Sequence, residues 1–246
     1  MRAQAARPGV SGADPSPPCI GACPHRASVR VFTPLRVITR LALLAGRSVV
    51  SAGASPSSHR VLADVFVRTR AQEAVLVLGA ALFTALLAQV AISVPGSPVP
   101  VTGQTFAVVL TAAALGPGRG VAAQLAYLLL GAMGLPFYAK AASGWGALVG
   151  PTGGYLVGFL PAAFLVGLAA RHAYDRRPRT AVPLFLAGQL VILVIGVCWL
   201  SVAASLDFAT AIHKGFVPFI PGGLLKAVFA GVVTFLVWRL VQAREA

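Results

Sequence analysis

From Ala74 onward the chain alternates long apolar runs with short polar or Gly/Pro-rich punctuation. The runs cover Ala74 to Val94, Gln104 to Leu115, Val121 to Met133, Thr152 to Ala170, Ala181 to Leu206, and about Pro221 to Leu240. A helix needs about 20 residues to cross the hydrocarbon core of a bilayer. The first, fourth, fifth and sixth runs meet that length, whereas the second and third fall short. Those two are expected either to stand nearly upright in a locally thin bilayer or to form a re-entrant pair. Both alternatives return the chain to the same side. The pattern predicts an all-α integral membrane protein with six transmembrane helices.

The punctuation is of two kinds. The stretch VPGSPVPVTGQTF, Val94 to Phe106, joins the first two runs and is too rich in proline and glycine to be a helix. GLPFYAKAASGWGALVGPTGG (134–154) and FVPFIPGG (216–223) are irregular in the same way. Irregular backbone at membrane depth is tolerated where protein buries it or where it lines a wet cavity. If each run crosses once, the connections 94–103, 135–151 and 207–220 share one side of the membrane. Cations mark the other side: Arg68 and Arg70, Arg119, the cluster RHAYDRRPR from Arg171 to Arg179, and Arg239 with Arg244. Positive charge collects on the cytoplasmic side. Both termini are therefore expected inside, and a pocket closed by the irregular connections is expected outside.

Composition agrees with a membrane class. The chain is 57% hydrophobic and 11% charged, with a mean hydropathy of +0.83, against about 25% charged residues in soluble domains. The net charge of +14 does not indicate a nucleic-acid partner, because half of the 20 Lys and Arg lie in residues 1–70 and no basic face is interleaved with aromatics. The expected surroundings are the lipid bilayer.

Residues 1–70 differ in kind and are read as an N-terminal extension of low order, with 71–246 as the membrane domain. The apolar patch Val37 to Leu44 is broken by Thr39 and Arg40, too short for a span and too late for a signal peptide. The change of character also raises the alternative that translation begins after Met1, which N-terminal peptide sequencing decides. Cys19, Cys23 and His25 imitate half a metal knuckle but lack a second ligand pair, so no metal site is expected. Cys198, within an apolar run, reads as a small buried residue. No cofactor or enzymatic activity is expected. The chain has no His-Glu-x-x-His, Gly-x-Ser-x-Gly or Walker motif, and only four acidic residues follow position 70.

Several polar residues at membrane depth invite a functional reading. Lys226 follows PFIPGG and lies about one to two turns into the sixth helix, where a cation near a helix N-terminus suits a small carboxylate. Snorkelling of its head to the interface is the alternative. Tyr155 after GPTGG offers a ring wall with a polar tip, or an interfacial anchor. Gln104 and Thr102 open the second run, and an amide there presents donors and an acceptor to a heterocycle. Trp145 suits stacking on a ligand and interfacial anchoring equally. Ala81 and Ala85 give a small-xxx-small spacing, as do Thr84 and Ala88. That spacing serves close packing within the chain or docking on another membrane protein.

The segment PVPVTGQTFAVVLTAAALGPGRGVAAQLAYLLLGAMGLPFYAKAASGWGALVGPTGGYLVGF, Pro98 to Phe159, resembles the BioY family, the substrate-capture (S) components of energy-coupling-factor (ECF) biotin transporters. GVCWL at 196–200 and PFIPGGLLK at 218–226 extend the resemblance to about residues 70–243. It is the combination of TGQTF, GLPFY and GPTGGYL that is specific. The resemblance implies an ECF S-component-like bundle in the bacterial cytoplasmic membrane and a biotin pocket beneath the external loops. It also implies partnership with a transmembrane coupling protein and two ABC-type ATPases. It places Gln104, Tyr155 and Lys226 at the biotin site, Gly144 in the covering loop, and Ala81 and Ala85 at the coupling protein. One position departs from the family pattern. An aspartate is usual three residues before the lysine, where this chain has Gly223. A carboxylate there would pair with the lysine and accept hydrogen bonds from a ureido ring. Its loss is expected to weaken ring recognition unless Asp207 or backbone carbonyls compensate.

Overall fold

The computed structural model describes residues 61–245. The Cys19, Cys23 and His25 grouping, the patch Val37 to Leu44 and most of the expected extension lie outside the described residues. The helices are α1 (Leu62–Phe66), α2 (Arg70–Ala88), α3 (Gln104–Leu115), α4 (Pro117–Ala132), α5 (Trp145–Val149), α6 (Gly153–Arg171), α7 (Pro178–Ala203), α8 (Phe208–Gly215) and α9 (Phe219–Glu245), with a single 3-10 turn at Ala139–Ala141. Strands β1 (Ala91–Ile92) and β2 (Val101–Thr102) pair antiparallel, Ala91 opposite Thr102 and Ile92 opposite Val101.

The six runs of the sequence reappear as α2, α3, α4, α6, α7 and α9. Four of these, Arg70–Ala88, Gly153–Arg171, Pro178–Ala203 and Phe219–Ala243, are long and apolar enough to cross a bilayer. The 12 residues of α3 span only about 18 Å at 1.5 Å per residue. Helix α4 follows it after Gly116 alone, whose φ of +83° makes the tight turn. A methyl group on Gly167 would come 2.5 Å from the Pro117 nitrogen, so α6 crosses this turn where only glycine fits.

Packing is inside-out relative to a soluble protein. The interior is built of small residues, Ala107, Ala112, Ala113, Ala123, Ala162, Ala163 and Ala227 among them, while Leu82, Leu86, Phe164, Leu190, Leu225, Phe229 and Leu240 face outward. Between membrane helices, close backbone approach replaces the hydrophobic effect, which favours small residues at the contacts. Ala81 and Ala85 belong to this interior: both are buried in the chain's own core. That burial is the packing use of the small-xxx-small spacing within the chain. The expectation of a buried Cys198 is corrected: it is exposed on α7.

The first run ends as a helix six residues earlier than its hydropathy suggests. After Ala88 its last apolar residues enter the β1–β2 ribbon, and Gly103 N–H closes it by donating to Val90 O at 3.0 Å. At the opposite end of the bundle, Arg119 at the start of α4 bridges Asp64 and Glu73, both at 2.6 Å. Residues 61–64, on the extension side of the expected boundary at 70, therefore take part in the bundle, with Val61, Leu62 and Ala63 buried. Near that end, Asp175 in the α6–α7 turn accepts a hydrogen bond from Trp238 Nε1 on α9 at 2.7 Å.

Candidate functional site

The three irregular connections meet one another. Ser97 Oγ in the first donates to Lys214 O in the third at 2.7 Å, and Gln89 at the start of the first donates to Pro136 O and Tyr138 O in the second. Beneath them lies a cavity of about 240 Å3. Pro98, Val99 and Pro100 form one wall, and Tyr138, Ala139, Lys140 and Ala142 another. Leu156, Phe159, Leu193 and Phe219 supply apolar surface from α6, α7 and α9, with Thr102, Gln104, Thr105, Thr152 and Tyr155 as polar points.

Each polar point is held. Thr102 Oγ1 donates to Gln104 Oε1 at 2.7 Å, and Gln104 Nε2 donates to the Tyr127 hydroxyl. That hydroxyl donates onward to Phe137 O at 3.2 Å, so the first turn of α3 is fixed from below by α4. The second amide hydrogen of Gln104 remains for a ligand. Tyr155 stacks on Phe219 with ring centroids 5.8 Å apart, and its hydroxyl donates to Gly215 O at 2.8 Å. Its ring sits directly against Gly196, where a side chain would collide with it. Tyr138 lies in the same way against Gly131 and donates to Leu128 O at 2.6 Å. Burial pushes the pKa of this loop tyrosine up to about 12.

Lys226 approaches from α9. Its ammonium donates to Thr102 O at 2.6 Å and to Thr105 Oγ1 at 3.3 Å, both of which belong to cavity-lining residues. The amine is part-buried, and among the described residues no carboxylate pairs with it. A desolvated cation held only by neutral oxygens attracts an anion, and one of its three hydrogens remains free for that anion. Lys226 itself is not among the residues that line the cavity; its ammonium bonds to two that are.

The other expected residues divide. Thr102, Gln104 and Tyr155 line the cavity. Gly144 does not: its φ of +83° and its N–H bond to Gly131 O at 2.8 Å set the turn into α5, and its role is in the loop's course. Trp145 is 68% exposed and is not among the cavity residues. Asp207 caps α8 by accepting from Thr210 N at 3.0 Å, which lowers its pKa, so it does not replace the missing aspartate. Gly223 is buried against Gln189, whose Nε2 donates to Gly223 O at 3.0 Å. Both residues line a neighbouring groove between α7 and α9, separated from the cavity by Leu193 and Phe219. Sequence reasoning passed over Thr105, Tyr127, Lys140 and Gln89. A lone glutamine closing an apolar run was the available signal for Gln89.

The fold is a helical membrane bundle with a small cavity under its loops and a lysine cation beside that cavity. The sequence profile of the BioY family matches residues 58–243, and the chain belongs to that family. It is similar to "Biotin transporter BioY" of Thermotoga maritima, 42% identical over 166 residues that cover 67% of this chain and 96% of the relative. It is also similar to "Biotin transporter BioY2" of Lactococcus lactis subsp. cremoris, 37% identical over 68% of this chain and 88% of the relative. Among solved structures, the S-component for biotin from an ECF-type ABC transporter superposes with a TM-score of 0.65, covering 70% of this chain and 95% of the other. At 24% identity that match speaks for the fold. These relatives are named as transporters, in agreement with the expectation that the chain is not an enzyme. The chain is a multi-pass membrane protein.

Proposed function

We propose that this protein is the biotin-capturing S component of an ECF-type transporter, and that the cavity beneath its three irregular connections is the biotin site. The observation that carries the reading is Lys226, whose ammonium lies beside the cavity with only neutral acceptors. The carboxylate of biotin supplies the missing charge, Gln104 offers an amide to the ureido ring, and Tyr155, Phe159 and Phe219 supply apolar walls for the bicyclic body. The names of the relatives support the same ligand.

The chain carries no nucleotide-binding motif, so ATP-driven delivery falls to partners: a transmembrane coupling protein and two ABC-type ATPases. The cation distribution supports the bacterial cytoplasmic membrane with both termini inside and the cavity outside. Residues from 71 onward form the membrane domain, and the stretch from Val61 contributes to its inner end. Uptake of labelled biotin by cells expressing this chain with and without the ATPases and coupling protein tests the assignment. Uptake that requires the partners supports it. High-affinity uptake by the chain alone contradicts the division of labour.

Gly223 is the observation that favours a second reading, an S component for a different small carboxylate. Competition of unlabelled vitamins against labelled biotin separates the two.

A further inference from the structure

We infer that Gln89 is a latch: a positioning residue that fastens the segment Pro136 to Ala142 over the cavity and so slows exchange of whatever the cavity holds. Gln89 is the residue that ends α2. Its amide nitrogen donates to Pro136 O at 3.2 Å and Tyr138 O at 3.3 Å, and its amide oxygen accepts from Ala141 N at 3.0 Å. Nε2 also lies 3.1 Å from Ala85 O, so its two hydrogens are shared among three carbonyls, one of them on its own helix. One side chain thus ties the second connection to the first long helix.

The segment it grips is the one that walls the cavity, through Tyr138, Lys140 and Ala142. It is also strained. Lys140 and Ala141 have φ of 58° and 57°, two consecutive left-handed residues with side chains. Such conformations persist only when surrounding contacts impose them. The 3-10 turn is too short to do so, and Gln89 bonds to two carbonyls just before it and to the amide of its last residue. Two internal bonds complete the segment, Tyr138 N to Ala142 O at 3.0 Å and Ala142 N to Ala139 O at 3.2 Å, and Gly144 N reaches Gly131 O just beyond. Gln89 does not touch these three amide hydrogens, so they report whether the segment opens as a unit. Lys140 is exposed at the rim with no carboxylate partner among the described residues. Opening therefore moves a cation as well as a wall.

The ligand half of this inference rests on the function proposed above, but the loop half does not. The test uses the full chain in nanodiscs, without ligand, with residue-resolved hydrogen exchange. In Gln89→Ala, exchange at Tyr138, Ala142 and Gly144 should quicken at least about tenfold, the lower end of the scale set by loss of the three bonds to the loop. Gln89→Glu, which keeps the acceptor for Ala141 N but loses the bonds donated to Pro136 O and Tyr138 O, and that to Ala85 O, should fall between. Exchange in α6 and α7 should not change. Unaltered exchange at the three amides in Gln89→Ala overturns the latch. Release of labelled biotin should quicken in the same order among the variants, and unaltered release with a loosened loop overturns the segment as the barrier. If the unmodified protein binds no biotin, the functional assignment fails while the exchange experiment still decides the latch.

Discussion

The ammonium of Lys226 donates to the main-chain carbonyl of Thr102 at 2.6 Å, across 124 residues of sequence. This contact joins the last helix to the junction of the β ribbon and α3, and puts a positive charge beside the cavity. Replacing Lys226 with Met keeps the stem and removes the charge. A hydrogen bond to a charged group contributes about 1.5–3 kcal/mol, so biotin affinity should fall about ten- to a hundredfold. Equilibrium binding to the purified variant measures it, and an unchanged Kd removes the lysine from the site.

Gly223→Asp restores the residue usual in the family and tests the role of the departure. A Cβ at this position would lie 3.1 Å from Gln189 Oε1, and the side chain would enter the groove between α7 and α9. The substitution alone should therefore not tighten biotin binding, because the glutamine already fills the space beside it. A Kd lowered tenfold would show that the carboxylate reaches the ligand.

Gly196→Ala places a methyl group against the Tyr155 ring. Overpacking of this kind costs about 1–3 kcal/mol, and relief requires the ring to move toward the cavity. Both the unfolding temperature and biotin affinity should drop. Tyr155→Phe keeps the stack on Phe219 and loses only the bond to Gly215 O, so it should cost about 1 kcal/mol of stability with a smaller loss of binding.

Asp175 gives a pH dependence. It is fully buried, with Oδ2 bonded to Trp238 and Oδ1 without a partner. Burial raises its pKa, opposed by the Trp238 hydrogen bond and the Arg176 charge. The folded state thus holds this proton more tightly than the unfolded chain. Its contribution is greatest below the ordinary value of 3.8 and is lost as pH rises through the folded value. Unfolding temperatures measured upward from about pH 4 should show that loss. Asp175→Asn, which retains an acceptor for Trp238, should flatten it; an identical slope in the variant contradicts the assignment.

The runs and cations made the bundle legible in the sequence because hydropathy and membrane position are the same physical quantity. The cavity beneath the irregular connections was legible for a related reason: Pro and Gly at membrane depth need a protein-lined cavity. What escaped was decided by side-chain direction. Ala81 and Ala85 share a spacing that suits inner packing and outer docking equally, and only the fold shows that they are buried in the chain's own core. Gln89 is one polar residue after an apolar helix, and its partners are Pro136, Tyr138 and Ala141, about fifty positions away. Gly223 looked like a vacancy beside Lys226 because three residues separate them. Its partner proved to be Gln189 on another helix.

The central claim is that Lys226 binds the acid group of the ligand, and equilibrium binding of biotin against its uncharged amide tests it most directly. The account predicts that the unmodified protein holds biotin at least about tenfold more tightly than the amide, and that Lys226→Met binds the two alike. Equal binding of acid and amide by the unmodified protein would contradict it.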